Sequence, residues 1–165
     1  MYNIITMSYY ESFNSEDTFS LGMYMGKLSS PGDIIALKGD LGTGKTVFSK
    51  GFAKGLGIGE AIVSPTFTIL QSYEDGRLPF HHMDAYRIGD IGELEEIGID
   101  DCFYGGGVSL IEWADLIEDI LPEKTITITI EKKPVKGFDY RLIKLEGLTD
   151  EAAAALSGSG IKRYE

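Results

Sequence analysis

Gly39-Asp40-Leu41-Gly42-Thr43-Gly44-Lys45-Thr46 fits the pattern G-x-x-x-x-G-K-[ST] at every specified position and follows the apolar run Ile34-Ile35-Ala36-Leu37. The context matters as much as the letters. A strand delivers such a loop, its glycines let backbone N–H groups turn inward around phosphate oxygens, and a helix starting near Lys45 adds its positive N-terminal end. Lys45 is then expected to reach the β- and γ-phosphates of a nucleotide. Thr46 is expected to place its hydroxyl on Mg²⁺, a hard cation suited by a hydroxyl, phosphate oxygens, an acidic partner and retained waters. A glycine-rich turn that spells the motif by chance is the alternative, and the strand–loop–helix setting speaks against it. Downstream, Phe48, Phe52 and Leu56 recur at every fourth position and predict a helix facing a sheet, with Lys50 and Lys54 elsewhere on it and Gly55 and Gly57 ending it.

The chain has 165 residues, enough for one domain with a proper core and too few for a comfortable second. The expectation is a single domain over 1–165, with its core at about 9–146 and a frayed tail from Gly158 to Glu165. With 43% hydrophobic and 25% charged residues, a mainly disordered chain is excluded. No apolar run approaches the ~18–20 residues of a membrane span. The stretch Met1 to Met7 has no basic region of a secretory signal, so a cytoplasmic location is expected, with no membrane partner. Cys102 is the only cysteine, which excludes an internal disulfide and a thiolate metal cluster and reads as a buried small hydrophobe. A net charge of −11 argues against a large nucleic-acid footprint on this chain alone: no DNA is expected, and RNA only through a partner.

Around the loop, Tyr9 to Phe13 predicts a short strand, and Ser15 an N-cap for a helix whose Leu21, Met25 and Leu28 face inward. That unit either walls an adenine pocket or packs structurally. Ala61 to Val63 reads as a strand broken at Pro65, leaving the hydroxyls of Ser64, Thr66 and Thr68 near the active edge of a sheet or on a surface turn. Thr66 to Tyr73 and Leu78 to Met83 predict a hairpin around Glu74-Asp75-Gly76-Arg77, which makes the sheet mixed. His81 and His82 are adjacent on a strand and point to opposite faces, so they do not form a bidentate metal site. Asp84, at the strand end, either approaches Mg²⁺ or starts a solvated loop. Glu93 to Ile99 predicts a short acidic helix with Leu94 and Ile97 inward. Val108-Ser109-Leu110-Ile111-Glu112-Trp113 is an apolar strand ending in an acid, the outline of a Walker B strand whose carboxylate faces the phosphate loop. Trp113 reads first as a core or interface anchor. A short helix from Ala114 to Ile120 precedes strands at Thr125 to Ile130 and Tyr140 to Leu145, around a hairpin tip whose Lys132, Lys133 and Lys136 read first as solvated.

The fold class is therefore α/β, a P-loop NTPase-like mixed sheet with helices on both faces and antiparallel hairpins added. A GTPase is excluded for want of N-K-x-D and D-x-x-G. A small-molecule kinase usually closes an arginine-bearing lid over the transferred phosphate, and the four arginines, Arg77, Arg87, Arg141 and Arg163, are scattered.

Taken in order, Gly39 to Thr46, Ser64-Pro65-Thr66-Phe67-Thr68, His82-Met83-Asp84-Ala85-Tyr86-Arg87 and Ile111-Glu112-Trp113 resemble the TsaE (YjeE) ATPases of bacterial tRNA threonylcarbamoyladenosine synthesis, over about Ser15 to Leu145. Leu94-Glu95-Glu96-Ile97-Gly98 also resembles a family segment. The resemblance implies an ATPase that binds ATP with Mg²⁺ and works with TsaB and TsaD, meeting tRNA through that complex. It implies Thr46 and Glu112 as Mg²⁺ ligands with Asp84 close by, and Lys45, Asp84 and Glu112 as the catalytic set. The nucleotide contacts it implies are the loop residues Gly39, Asp40, Leu41, Gly42, Thr43, Gly44, Lys45 and Thr46, with Thr66 in a switch-like segment beside the γ-phosphate. Ser15 would lie near the adenine and Lys132 on its other side, while Trp113 supports the site and the partner surface. A nucleotide-dependent assembly scaffold and a small-molecule kinase are the competing readings. The chain departs from the family at Ala114, where proline is usual, and at Met83 and Ala85, often Phe and Leu. These departures bear on packing more than on chemistry.

Overall fold

The computed structural model describes residues 6–66 and 68–165, so expectations for Met1 to Ile5 and for Phe67 lie outside the described residues. In order, the chain forms β1 (Thr6–Ser12), α1 (Ser15–Leu28), β2 (Ile34–Lys38), α2 (Lys45–Gly55), β3 (Leu70–Tyr73), β4 (Phe80–Asp84), α3 (Ile91–Glu96), α4 (Ile99–Tyr104) and β5 (Val108–Glu112). A 3₁₀ segment (Ala114–Ile120), β6 (Ile126–Lys132), a 3₁₀ turn (Pro134–Lys136), β7 (Arg141–Leu148) and α5 (Asp150–Ser157) complete it.

The strands form one seven-stranded sheet in the order β1-β7-β6-β2-β5-β4-β3. The four central strands run parallel, while β1, β7 and β3 pair antiparallel with their neighbours. The phosphate loop thus leaves the C-terminal end of a central strand flanked by β5 and β6, where open α/β sheets place their ligands.

Both faces of β2 are covered, which is why its sequence is continuously apolar. Ile35 and Leu37 join a core with Phe48, Phe52 and Leu56 of the α2 region and Leu21 of α1. Ile34 and Ala36 point the other way, into a core with Leu94, Cys102 and Phe103. Cys102 is buried there, and burial pushes its thiol up to about 11. Met83, Ala85 and Ala114, the departures from the family pattern, are all fully or nearly fully buried in this second core. Among the described residues no helix is long and apolar enough to cross a membrane.

Several expectations are corrected. Asn14, not Ser15, caps α1: its side chain accepts from the Asp17 N–H at 2.9 Å, and Ser15 is the first helical residue. Leu28 is exposed at the end of α1, where Ser29 takes over by donating its hydroxyl to the Met25 carbonyl. Residues 61–63 form no strand, and β3 starts only at Leu70, because Ile69 takes a positive φ of 66° and the Ile69 N–H bonds back to the Pro65 carbonyl. The acidic helix is two helices, α3 and α4, joined at Gly98 with φ 86°. Residues 158–165 are not a frayed tail: Tyr10 bridges Arg163, and the Tyr164 N–H donates to the Tyr9 carbonyl at 2.8 Å, so the tail lies along the free edge of β1. Helix α5, ahead of it, has no counterpart in the sequence reading.

Candidate functional site

The turn from β2 into α2 places Gly39 at φ 150°, where an added Cβ would meet the Ile130 carbonyl at 2.6 Å. Gly44, at φ 109°, is the N-cap of α2 and supplies no side-chain cap, which leaves the first N–H groups of the helix for an anion. Lys45 is buried at the mouth of this turn. Its ammonium donates to the Gly39 carbonyl at 2.5 Å and the Asp40 carbonyl at 2.8 Å, and stands 4.0 Å over the Trp113 ring. Burial lowers its pKa, opposed by the charges of Glu112, Asp115, Asp40 and Asp84.

Sheet register brings the acids to the loop. Glu112 pairs with Leu37 of β2 on one side and with Asp84 of β4 on the other, so both carboxylates stand at the strand ends beside the phosphate turn. The Thr46 hydroxyl donates to Glu112 Oε1 at 3.3 Å, and the other carboxylate oxygen accepts from His82 Nε2 at 2.7 Å. His82 and Glu112 are both buried, and His82 Nδ1 has no partner, as suits the bare acceptor of an Nε2–H tautomer. Asp84 Oδ1 accepts from the Tyr86 N–H at 2.9 Å, and Oδ2 from the Thr66 hydroxyl at 3.2 Å. Ser64 and Thr66 share a hydroxyl–hydroxyl bond of 2.7 Å, so the segment expected as a switch reaches the second acid.

These groups line one cavity of about 480 Å³, with Lys45, Thr46, Thr66, Asp84, Glu112 and Trp113 among its walls together with Leu41, Gly42 and Gly44. Trp113 packs against the rim of the second core rather than within it: it is half-buried, takes φ 56° and ψ 36°, and meets Tyr86 in a tilted ring contact with centroids 5.0 Å apart. A non-glycine residue in that region costs about 1–3 kcal/mol, a strain that here carries the indole over Lys45. A second cavity of about 300 Å³ adjoins, lined by Ser15, Thr18, Gly42, Thr43, Asp139 and Arg141 among others. Gly39, Asp40 and Lys132 line neither. The Lys132 ammonium donates instead to the Leu41 carbonyl at 3.2 Å.

The model of the family described as "Threonylcarbamoyl adenosine biosynthesis protein TsaE" matches residues 12–141. The chain belongs to the TsaE family. A Bacillus subtilis relative named tRNA threonylcarbamoyladenosine biosynthesis protein TsaE is 48% identical over 123 residues, covering 74% of this chain and 77% of the relative. A Treponema pallidum protein of the same name is 45% identical over 119 residues, 72% of this chain and 87% of that one. The crystal structure of Bacillus subtilis YdiB superposes with a TM-score of 0.77 at 36% identity, over 96% of this chain and 97% of that one. In this TsaE-family chain the α/β P-loop fold is thus both matched and built.

Two site residues of this TsaE chain have partners that a linear reading does not give. His82 was legible in part, since it lies two positions before Asp84 and must share its face of β4. Arg141 carried no local signal: it contacts the phosphate loop from 98 positions away, with Nε donating to the Thr43 carbonyl at 2.9 Å. Among the described residues no group of three or more His, Cys, Asp or Glu side chains forms a cage for a metal. A threonine hydroxyl with one or two carboxylates fits Mg²⁺, whose remaining positions go to phosphate oxygens and waters.

Proposed function

We propose that this chain is a P-loop ATPase that binds ATP with Mg²⁺, hydrolyses it slowly alone, and serves tRNA threonylcarbamoyladenosine synthesis at adenosine 37 together with TsaB and TsaD in the cytoplasm. The observation that carries the reading is the meeting of Thr46, Glu112, Asp84 and Thr66 at one cavity opened by the phosphate loop. Membership of the TsaE family supports the pathway.

The backbone N–H groups from Gly44 to Thr46 and the Lys45 ammonium bind the phosphates; Lys45 exchanges its bonds to the Gly39 and Asp40 carbonyls for the β- and γ-phosphate oxygens. Thr46 and Glu112 would hold Mg²⁺ with Asp84 alongside, and the ion would neutralise charge on those phosphates. Glu112 or Asp84 orients the attacking water, each held by its own neighbour: His82 for the first, Thr66 and the Tyr86 N–H for the second. Trp113 and Tyr86, in ring contact, form the wall of the cavity beside Lys45.

Arg77 donates to the Gly26, Lys27 and Ser29 carbonyls at the end of α1, and Arg141 to carbonyls of the loop, so neither reaches the γ-phosphate as a finger from these positions. An arginine finger is worth about 10³–10⁵ in rate, so a slow isolated enzyme is expected. The test is steady-state ATP hydrolysis by the protein alone and with TsaB and TsaD, with tRNA modification followed in the same tubes. Stimulated hydrolysis with repeated modification supports the proposal. Many rounds of modification on a non-hydrolysable analogue would replace it with a scaffold, and phosphate transfer to an acceptor other than water with a kinase.

A further inference from the structure

Three successive carbonyls at the apex of the phosphate loop are held by cations from the β6–β7 hairpin. Lys132 Nζ takes the Leu41 carbonyl at 3.2 Å, Arg141 Nη2 the Gly42 carbonyl at 3.3 Å, and Arg141 Nε the Thr43 carbonyl at 2.9 Å. The same guanidinium turns Nη1 to the Phe138 and Tyr140 carbonyls, both at 2.9 Å, and so ties the hairpin's own tip to the loop. Arg141 also lines the second cavity, on the side away from Asp84 and Glu112, which belong to the first.

We propose that Arg141, assisted by Lys132, is a positioning residue that presets the phosphate loop for its ligand. Peptide N–H and C=O groups point in opposite directions, so fixing the carbonyls of Leu41 and Thr43 outward aims the N–H groups of Gly42 and Gly44 inward, while the Thr43 N–H closes a turn onto the Asp40 carbonyl. Inside the loop, the Gly39 carbonyl accepts from Lys45, and the Asp40 carbonyl from Lys45 and from the N–H and hydroxyl of Thr43. When Lys45 turns to phosphate its two bonds are given up, and the hairpin's grip on the next three carbonyls, with the Thr43–Asp40 turn, keeps the loop in shape. The guanidinium is suited to this because its planar fork spans neighbouring acceptors, which a lysine ammonium on a flexible stem does not. The grip acts on the part of the loop that faces phosphates shared by ATP and ADP. It therefore governs affinity for both nucleotides and leaves the hydrolytic step to the acids.

The inference rests on the nucleotide reading above, and the experiment separates the two. ATP and ADP affinity, kcat and KM are measured for wild type, R141A, R141K and K132A, with amide exchange across residues 39–46 in the nucleotide-free proteins. R141A is expected to weaken both nucleotides by about tenfold with kcat within about twofold, as loss of charge-assisted bonds used equally in ground and transition states requires. R141K should recover only part of the affinity, K132A should lose about two- to threefold, and the amides of Gly42 to Thr46 should exchange faster in R141A. If R141A does not fold, the graded losses in R141K and K132A decide. R141K equal to wild type would mean that charge alone matters, and unchanged affinity in R141A beside a wild type that binds would mean that the grip is idle. Either overturns the positioning role while leaving the nucleotide reading intact; a wild type that binds neither nucleotide overturns both.

Discussion

Glu112 is held at both oxygens, by Thr46 on one side and by the buried His82 on the other, and its two possible duties separate on substitution. Glutamine preserves volume and an oxygen acceptor for His82 Nε2 but removes the charge. Glu112→Gln is expected to keep ATP affinity within a few-fold while turnover falls by about 10²-fold or more, the scale of a lost charge at a reacting centre. Calorimetric titration beside a phosphate-release assay measures both; equal losses would make Glu112 a metal ligand needed for binding. Lys45→Ala is expected to differ in kind, weakening ATP binding by about 10–100-fold and abolishing turnover, because under the proposed function its charge-assisted bonds would go to the phosphates themselves. The sequence pointed to both residues by motif. It did not point to His82 as the partner of Glu112, because that pairing depends on β4 and β5 lying side by side.

Helices α1 and α2 are in backbone contact through glycines. A Cβ on Gly26 would lie 2.1 Å from the Phe52 carbonyl oxygen, and one on Gly55 2.0 Å from that of Met23. Neither neighbour is a flexible side-chain end, so relief requires the helices to part. Gly26→Ala is expected to cost about 1–3 kcal/mol, a fall in Tm of roughly 3–10 °C by thermal melting. Gly106→Ala, where an added Cβ meets nothing within 4 Å, should stay within about 0.5 kcal/mol. Because α2 carries Lys45 and Thr46 at its first turn, parting the helices would also shift the site. The amphipathic spacing of Phe48, Phe52 and Leu56 made α2 legible, whereas the role of the glycines was not: in a linear reading Gly55 serves only to end a helix.

At the scale of the whole molecule, the tail closes the sheet edge through a buried acid. Glu11 of β1 accepts from Lys162 of the tail and from the Tyr140 hydroxyl, both at 2.8 Å, with Lys136 of the hairpin tip 3.7 Å away. The Lys162 bond and then the Tyr140 bond hold the Glu11 carboxyl below its ordinary 4.5, against the opposing effect of burial. Burial, and then the bond to Glu11, push the Tyr140 phenol up to about 12. A depressed carboxyl contributes stability that is fully present above the unfolded pKa and lost as pH falls through the folded one. Glu11→Gln should therefore melt lower than wild type at pH 7, with the two curves converging below pH 4.5. Thermal melts from pH 7 to 3 measure this, and a constant gap between the curves would remove Glu11 from the acid limb.

What the sequence determined by itself was whatever is encoded within a turn or two of chain: the phosphate loop, the strand before it, the helix after it, the apolar strand ending in Glu112 and the Asp-Gly hairpin. Glycine conformations and hydrophobic periods are local, so they survive a linear reading. The tertiary structure alone decided what long-range register brings together. It set Glu112 beside Asp84 and Leu37, brought His82 to Glu112, placed Lys132 and Arg141 on the carbonyls of the phosphate loop, and laid the tail along β1. Such pairings depend on which strands become neighbours and with what offset, and a seven-stranded mixed sheet permits many orders before its two cores choose one.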